Sequence, residues 1–189
     1  MNLFKKAAVM TDLHIGLKSN SIVHNEDCLN FVTWFISKAK DEGCDTAIIC
    51  GDWHNHRASI NIHSLHYSMQ CLELLNSNFT QVFFLTGNHD LYYREKRDVH
   101  SVLWAGYLPN VHVINDIFTE GDVTICPWLV GDEAKQIKSK NFKAMKMKVG
   151  IGPKEDLELV TAVRKVIGDD YKLMVDANHA YNNSDALYV

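Results

Sequence analysis

Three times in the first 90 residues a short apolar run breaks off into a polar loop. Ala7-Ala8-Val9-Met10 leads into Asp12-Leu13-His14, Thr46-Ala47-Ile48-Ile49-Cys50 into Gly51-Asp52-Trp53-His54, and Val82-Phe83-Phe84-Leu85 into the tetrad Gly87-Asn88-His89-Asp90. Apolar runs of this length, bounded by turn residues, read as buried strands. Between the first two lies a helix from about Asn25 to Asp41, with Cys28, Phe31, Val32, Phe35 and Ala39 at helical spacing and Gly43 as its stop. Between the second and third, Leu65, Met69, Leu72 and Leu75 mark another helix, which runs out at Asn76-Ser77-Asn78. This βαβαβ order predicts a parallel sheet with right-handed crossovers. Such sheets place ligands outside the carboxyl ends of their strands. Asp12, His14, Asp52, Asn88 and His89 are therefore expected along one edge.

Beyond the tetrad the pattern predicts a short helix near Val99 to Tyr107 and strands at Val111 to Ile114 and Val123 to Cys126. The turn residues Gly121-Asp122 predict that these two strands form an antiparallel edge. A chain of 189 residues with 47% apolar content has enough material to bury a core. Its formal charge of −4 excludes a protein that grips long nucleic acid by electrostatics alone, though a metal site can still engage phosphate locally. The start lacks the apolar core of a signal peptide, and no apolar run approaches the roughly 18 residues of a membrane helix. A cytoplasmic protein without membrane partners is expected. The cysteines at 28, 44, 50, 71 and 126 have no C-x-x-C spacing and are read as small buried hydrophobes.

The chemistry lies in the three loops. Asp-x-His alone is a common turn or cap, and Gly-Asp a common loop opening. Both, followed by the tetrad and each directly after a strand, make a metal site the stronger reading. Oxygen ligands from Asp12, Asp52 and Asn88 with the imidazole of His14 suit two borderline divalent ions such as manganese, zinc or iron. Asp52, on the middle loop, is the natural bridge between them.

These motifs resemble the first three of the calcineurin-like metallophosphoesterases, whose fold is a sheet sandwich flanked by helices. Gly51-Asp52-Trp53-His54-Asn55, Arg57 and His89-Asp90-Leu91-Tyr92-Tyr93 most resemble the SbcD-type recombination nuclease subunits of bacteria and large tailed phages. The resemblance covers residues 1–140. It implies that Asp12 and His14 hold one metal, Asp52 bridges, Asn88 holds the other and His89 stands near the scissile phosphate, with Asp52 and His89 the catalytic pair. It further implies two ions, manganese first, a DNA or other phosphodiester substrate, attack by a metal-activated water, and an SbcC-type ATPase partner. The family completes its site with a Gly-His and a Gly-His-x-His motif. Neither occurs here: after the tetrad only His100, His112 and His179 remain, and none follows a glycine. A weakly held metal pair and weak activity follow.

Composition shifts at Ser139-Lys140-Asn141. Residues 141–189 read as a strand stretch from Phe142 to Gly150, a helix from about Pro153 to Ile167 and a strand stretch from Tyr171 to Asn178, one βαβ unit. Pro153, Glu155 and Asp156 at the helix start, Arg164 and Lys165 in its last turn and Gly168 beyond it are consistent helix punctuation. Leu159, Val160, Val163, Val166 and Ile167 form its apolar face. This stretch resembles the mandelate racemase and muconate lactonizing branch of the enolase superfamily. Lys146-x-Lys148 matches its catalytic lysine strand and Asp176-x-Asn178 the strand of its first magnesium carboxylate. The second and third carboxylates are missing, so no magnesium site is expected at Asp176. The fold class expected is α/β: a truncated metallophosphoesterase sandwich followed by one βαβ unit of TIM-barrel type. The alternatives to a phosphodiesterase are a catalytically dead binding module and a fragment of an acid-sugar dehydratase or racemase.

Overall fold

The computed structural model describes residues 3–93, 95–121, 123–130, 144–148, 152–170, 172–176 and 184. The chain divides into two compact units, Met1–Gly131 and Asp132–Val189. In the first, β1 (Ala7–Met10), β2 (Thr46–Ile49), β3 (Gln81–Leu85) and β4 (Val111–Ile114) form one parallel sheet in the order β1-β2-β3-β4. The register pairs Met10 with Ile49, Ile49 with Phe84 and Leu85 with Ile114. The strand ends are thus level, and the three polar loops leave the same edge. The connections are α2 (Ile22–Asp41) and α3 (Ile62–Asn78), preceded by a single turn, α1 (Leu17–Asn20).

The helices cover one face of the sheet. Val32, Ala47, Trp53, Cys71, Leu72, Leu75, Val82 and Phe84 lie fully buried in the resulting core. Alternation along β3 sends Phe83 and Leu85 to the opposite face, where they cluster with Ile114 and Ile125. Burying each such side chain contributes about 1.5–3 kcal/mol, which is what anchors strands only four or five residues long.

Several expectations are corrected. Val111–Ile114 does not pair with the strand after Gly121 but joins the main sheet parallel to β3. The partner of β6 (Val123–Ile125) is β5 (Phe118–Glu120), an antiparallel strand too short and polar to show a period. The helix expected from Val99 is a 3-10 turn over Leu103–Tyr107. On α2 the buried stripe is Asn25, Cys28, Val32, Phe35, Ile36 and Ala39; Phe31 falls about a quarter turn away and is exposed. On α3 Met69 is exposed, while Ser64 and Ser68 are buried because each finds hydrogen-bond partners inside. Among the cysteines 28, 44 and 71 are buried, but Cys50 is exposed and Cys126 half-buried.

In the second unit β7 (Ala144–Lys148) and β8 (Lys172–Asp176) pair in parallel across α4 (Pro153–Ile167). Asp156 closes the helix start by accepting from Gly152 N–H at 3.0 Å, and Gly168, at φ 77°, ends it with its N–H on Arg164 O. Met174 and Val175 stay about half exposed. The expected junction at Ser139 to Asn141 lies outside the described residues. No helix among the described residues is long and apolar enough to cross a membrane.

Candidate metal centre

The first two loops continue the pairing of their strands. Asp12 N–H donates to Gly51 O, His14 N–H to Asp52 O and Ile15 N–H to Trp53 O at 2.8–3.1 Å. This ladder holds Asp12, His14 and Asp52 at φ 58°, 48° and 53°. Non-glycine residues rarely adopt the left-handed region, and each costs about 1–3 kcal/mol. Three such residues, one chemistry, mark the spot where the fold stores strain.

Their side chains converge. Ligand atoms of Asp12, His14 and Asp52 lie within 4.8 Å of one another, with His14 Nε2 at 3.5 Å from Asp12 Oδ1 and 3.9 Å from Asp52 Oδ2. The third loop reaches the same place: His89 N–H donates to Asp52 Oδ1 at 3.0 Å, and the His89 ring meets the His14 ring edge-on at 5.0 Å. His89 Nδ1 is 3.1 Å from Asn55 O, so it carries the proton, because a carbonyl only accepts. Asn88 is half-buried in the turn just before His89.

The close approach of the second and third loops needs glycine. A Cβ on Gly87 would sit 2.2 Å from Asp52 Oδ1 and 2.4 Å from its backbone nitrogen. One on Gly51, already at φ 86°, would sit 2.3 Å from Gly87 N. The donor set fits a divalent cation: two carboxylates and an imidazole, with His14 Nδ1 buried and without a hydrogen-bond partner among the described residues.

Two residues whose roles sequence reasoning missed hold this arrangement. Asp90, fully buried, accepts from Trp53 N–H at 3.0 Å and His54 N–H at 3.2 Å through Oδ1, and from Gly87 N–H at 2.9 Å through Oδ2. It thereby clips the second loop to the third. Burial pushes its pKa up to about 6, against the pull of the Gly87 and His54 amides. His54 is buried with Nε2 at 2.9 Å from Ser68 Oγ and Nδ1 at 2.9 Å from Ser101 Oγ. Ser101 Oγ–H donates to Asp90 Oδ1 at 3.4 Å, so Ser101 accepts from His54 Nδ1–H and the His54 Nε2 lone pair takes the Ser68 hydroxyl proton, while Ser68 Oγ also accepts Trp53 Nε1–H at 2.7 Å. Burial holds the His54 pKa down to about 4, leaving the ring neutral. Asp90 stood in the tetrad, but its burial is the signal of its role, and burial is not read from a motif.

In the second unit the register sets Lys146 opposite Met174 and Lys148 opposite Asp176 on the backbone. Asn178 and His179 lie outside the described residues.

A parallel α/β sheet with a carboxylate and imidazole cluster at its strand ends has the donor set of a metal-binding α/β protein, and sequence comparison narrows the class. Residues 5–146 match the calcineurin-like phosphoesterase model, and on that match the chain belongs to this family. Divalent metals come with it. Residues 129–189 match the enolase C-terminal domain-like model. That portion is 43% identical over 61 residues to D-galactarolactone cycloisomerase of Agrobacterium fabrum, covering 31% of this chain and 16% of that protein. It is 40% identical over 57 residues to arabinonate dehydratase of Saccharolobus solfataricus, covering 30% and 15%. The chain thus spans about a sixth of the length of the curated relatives it matches. Among solved structures it is similar to the nuclease MPE of Pseudomonas putida, at 21% identity and a TM-score of 0.43, covering 60% of this chain and 50% of that one.

Proposed function

We propose that residues 1–140 form a metal-dependent phosphodiesterase acting on nucleic acid, of the recombination-nuclease kind. The observation that carries this reading is the Asp12, His14 and Asp52 cluster, its ligand atoms within 4.8 Å on backbone held left-handed. In this reading Asp12 and His14 would hold one ion, Asn88 would hold the second and Asp52 would serve as the ligand shared between them, with manganese preferred. When bound, the ions supply charge neutralisation and water activation. Asp52 has the two oxygens that bridging needs, Oδ1 oriented by His89 N–H and Oδ2 on the His14 side. With Nδ1–H on Asn55 O, His89 would donate to the phosphate or the leaving oxygen only with a second proton, on Nε2.

The family resemblance supports DNA as substrate, an SbcC-type ATPase as partner and the cytoplasm, the host's for a phage protein, as the place of work. We set the boundary between the two portions at residues 140 and 141, inside the stretch 129–146 that both family models share. A second reading, a binding module without turnover, is favoured by the missing Gly-His and Gly-His-x-His motifs. The tail keeps Lys148 opposite Asp176, but one carboxylate does not build an enolate-stabilising site.

Hydrolysis of bis-p-nitrophenyl phosphate tests the proposal. Weak manganese-dependent turnover, abolished by Asp52→Asn, is expected. Manganese binding with no turnover in the wild type selects the binding module. A rate untouched by Asp52→Asn sinks the site assignment.

A further inference from the structure

The loop that carries Asp12 and His14 is the most strained stretch of backbone among the described residues. Asp12, His14, Lys18, Ser19 and Asn20 all have φ between 48° and 63°, and Gly16 lies at 91°. Strain of this kind persists only where the surroundings hold it. Part of the hold is the ladder to the second loop. The loop's own bonds add to it, Leu17 N–H to His14 O and Asn20 N–H to Gly16 O, both at 3.0 Å, and a further part comes from the first turns of α2, which the metal reading does not use.

Three side chains on one face of that helix take three polar backbone groups of the loop. Cys28 Sγ–H donates to Leu13 O at 3.3 Å, His24 Nε2 lies 3.1 Å from His14 O, and Asn25 Oδ1 accepts from Gly16 N–H at 2.9 Å. Helical geometry brings residues 24, 25 and 28 to the same side, so they meet consecutive parts of one loop. Asn25 is fully buried, and its Nδ2 donates to Ser64 Oγ at 3.1 Å. Ser64 in turn donates to Asn20 Oδ1 at 3.1 Å, which closes the loop from its far end. Burial pushes the Cys28 thiol up to about 11, so it stays a donor at neutral pH.

From this geometry we propose that His24, Asn25 and Cys28 are positioning residues that set the backbone of the Asp12 and His14 ligands and so tune metal affinity. The proposal rests on the metal-centre reading above. All three act through backbone amides and carbonyls of the loop. Their loss therefore weakens metal binding.

The test is manganese titration of the full chain by electron paramagnetic resonance, with circular dichroism on the same samples. His24→Leu and Asn25→Ala are expected to raise the manganese dissociation constant about tenfold or more, the usual size of an effect behind a metal ligand. His24→Gln places an amide N–H where Nε2–H stood and is expected to keep wild-type affinity. A merely structural role does not separate the Leu and Gln variants once both are folded. Folded His24→Leu with wild-type affinity, or equal losses in Leu and Gln, overturns the proposal, and this pair decides even where Asn25→Ala does not fold. Asp52→Asn is the reference: if it too binds manganese as the wild type does, the metal centre itself is misread.

Discussion

Replacing Ser68 by alanine puts local and tertiary effects in direct opposition. By helix propensity alone the change stabilises α3 by about 0.5 kcal/mol, since alanine is the better helix former. The structure predicts the opposite sign. Ser68 Oγ is the sole acceptor shown for Trp53 Nε1–H, at 2.7 Å, and it also meets His54 Nε2 at 2.9 Å, in a place with no solvent exposure. Removing one hydroxyl opens too little room for a water, so both partners are left unsatisfied at about 1–3 kcal/mol each. Set against the propensity gain, the net loss is about 2–5 kcal/mol, or a fall in Tm of roughly 10 °C for a unit of this size. Urea denaturation followed by tryptophan fluorescence measures it. Ser77→Ala, at an exposed position of the same helix, is the control and stays within about 0.5 kcal/mol of wild type. If Ser68→Ala is as stable as Ser77→Ala, the buried chain through His54 contributes nothing and the reasoning fails.

Gly87→Ala puts a methyl carbon 2.2 Å from Asp52 Oδ1 and 2.4 Å from Asp52 N, so the second and third loops must part. Loss of manganese binding at temperatures where the protein stays folded is expected, and unchanged binding by isothermal titration refutes the close approach. Native alkylation with iodoacetamide at pH 8 is expected to modify exposed Cys50 first. Cys28 and Cys71, whose thiols burial holds up at about 11 and about 12, react only after denaturation, and peptide mass mapping that finds either one labelled in the folded protein contradicts their burial.

The metal-centre candidates were readable because each stands within a few residues of a strand end. An apolar run followed by a polar loop is local information, and level parallel strands bring such loops together without any further coding. The same holds for β7, α4 and β8, whose punctuation is local. Other features depended on partners remote in the chain. Ser64, Ser68 and Asn25 look like solvent-facing residues, and only the partners that the fold brings in, Asn20 and Asn25 for Ser64, Trp53 and His54 for Ser68 and Gly16 for Asn25, make their burial favourable. Val111–Ile114 reads as a strand in isolation, but its parallel seat beside β3 was decided by the apolar face it covers. The left-handed backbone at Asp12, His14 and Asp52 is equally invisible in the motifs, since aspartate and histidine do not call for it. It is held by the inter-loop ladder, Asp90 and α2, which together satisfy the buried amides and carbonyls of these loops. Residue type and spacing determine which groups are offered to a metal; the angle at which they are offered comes from hydrogen bonds between segments that only the fold brings together.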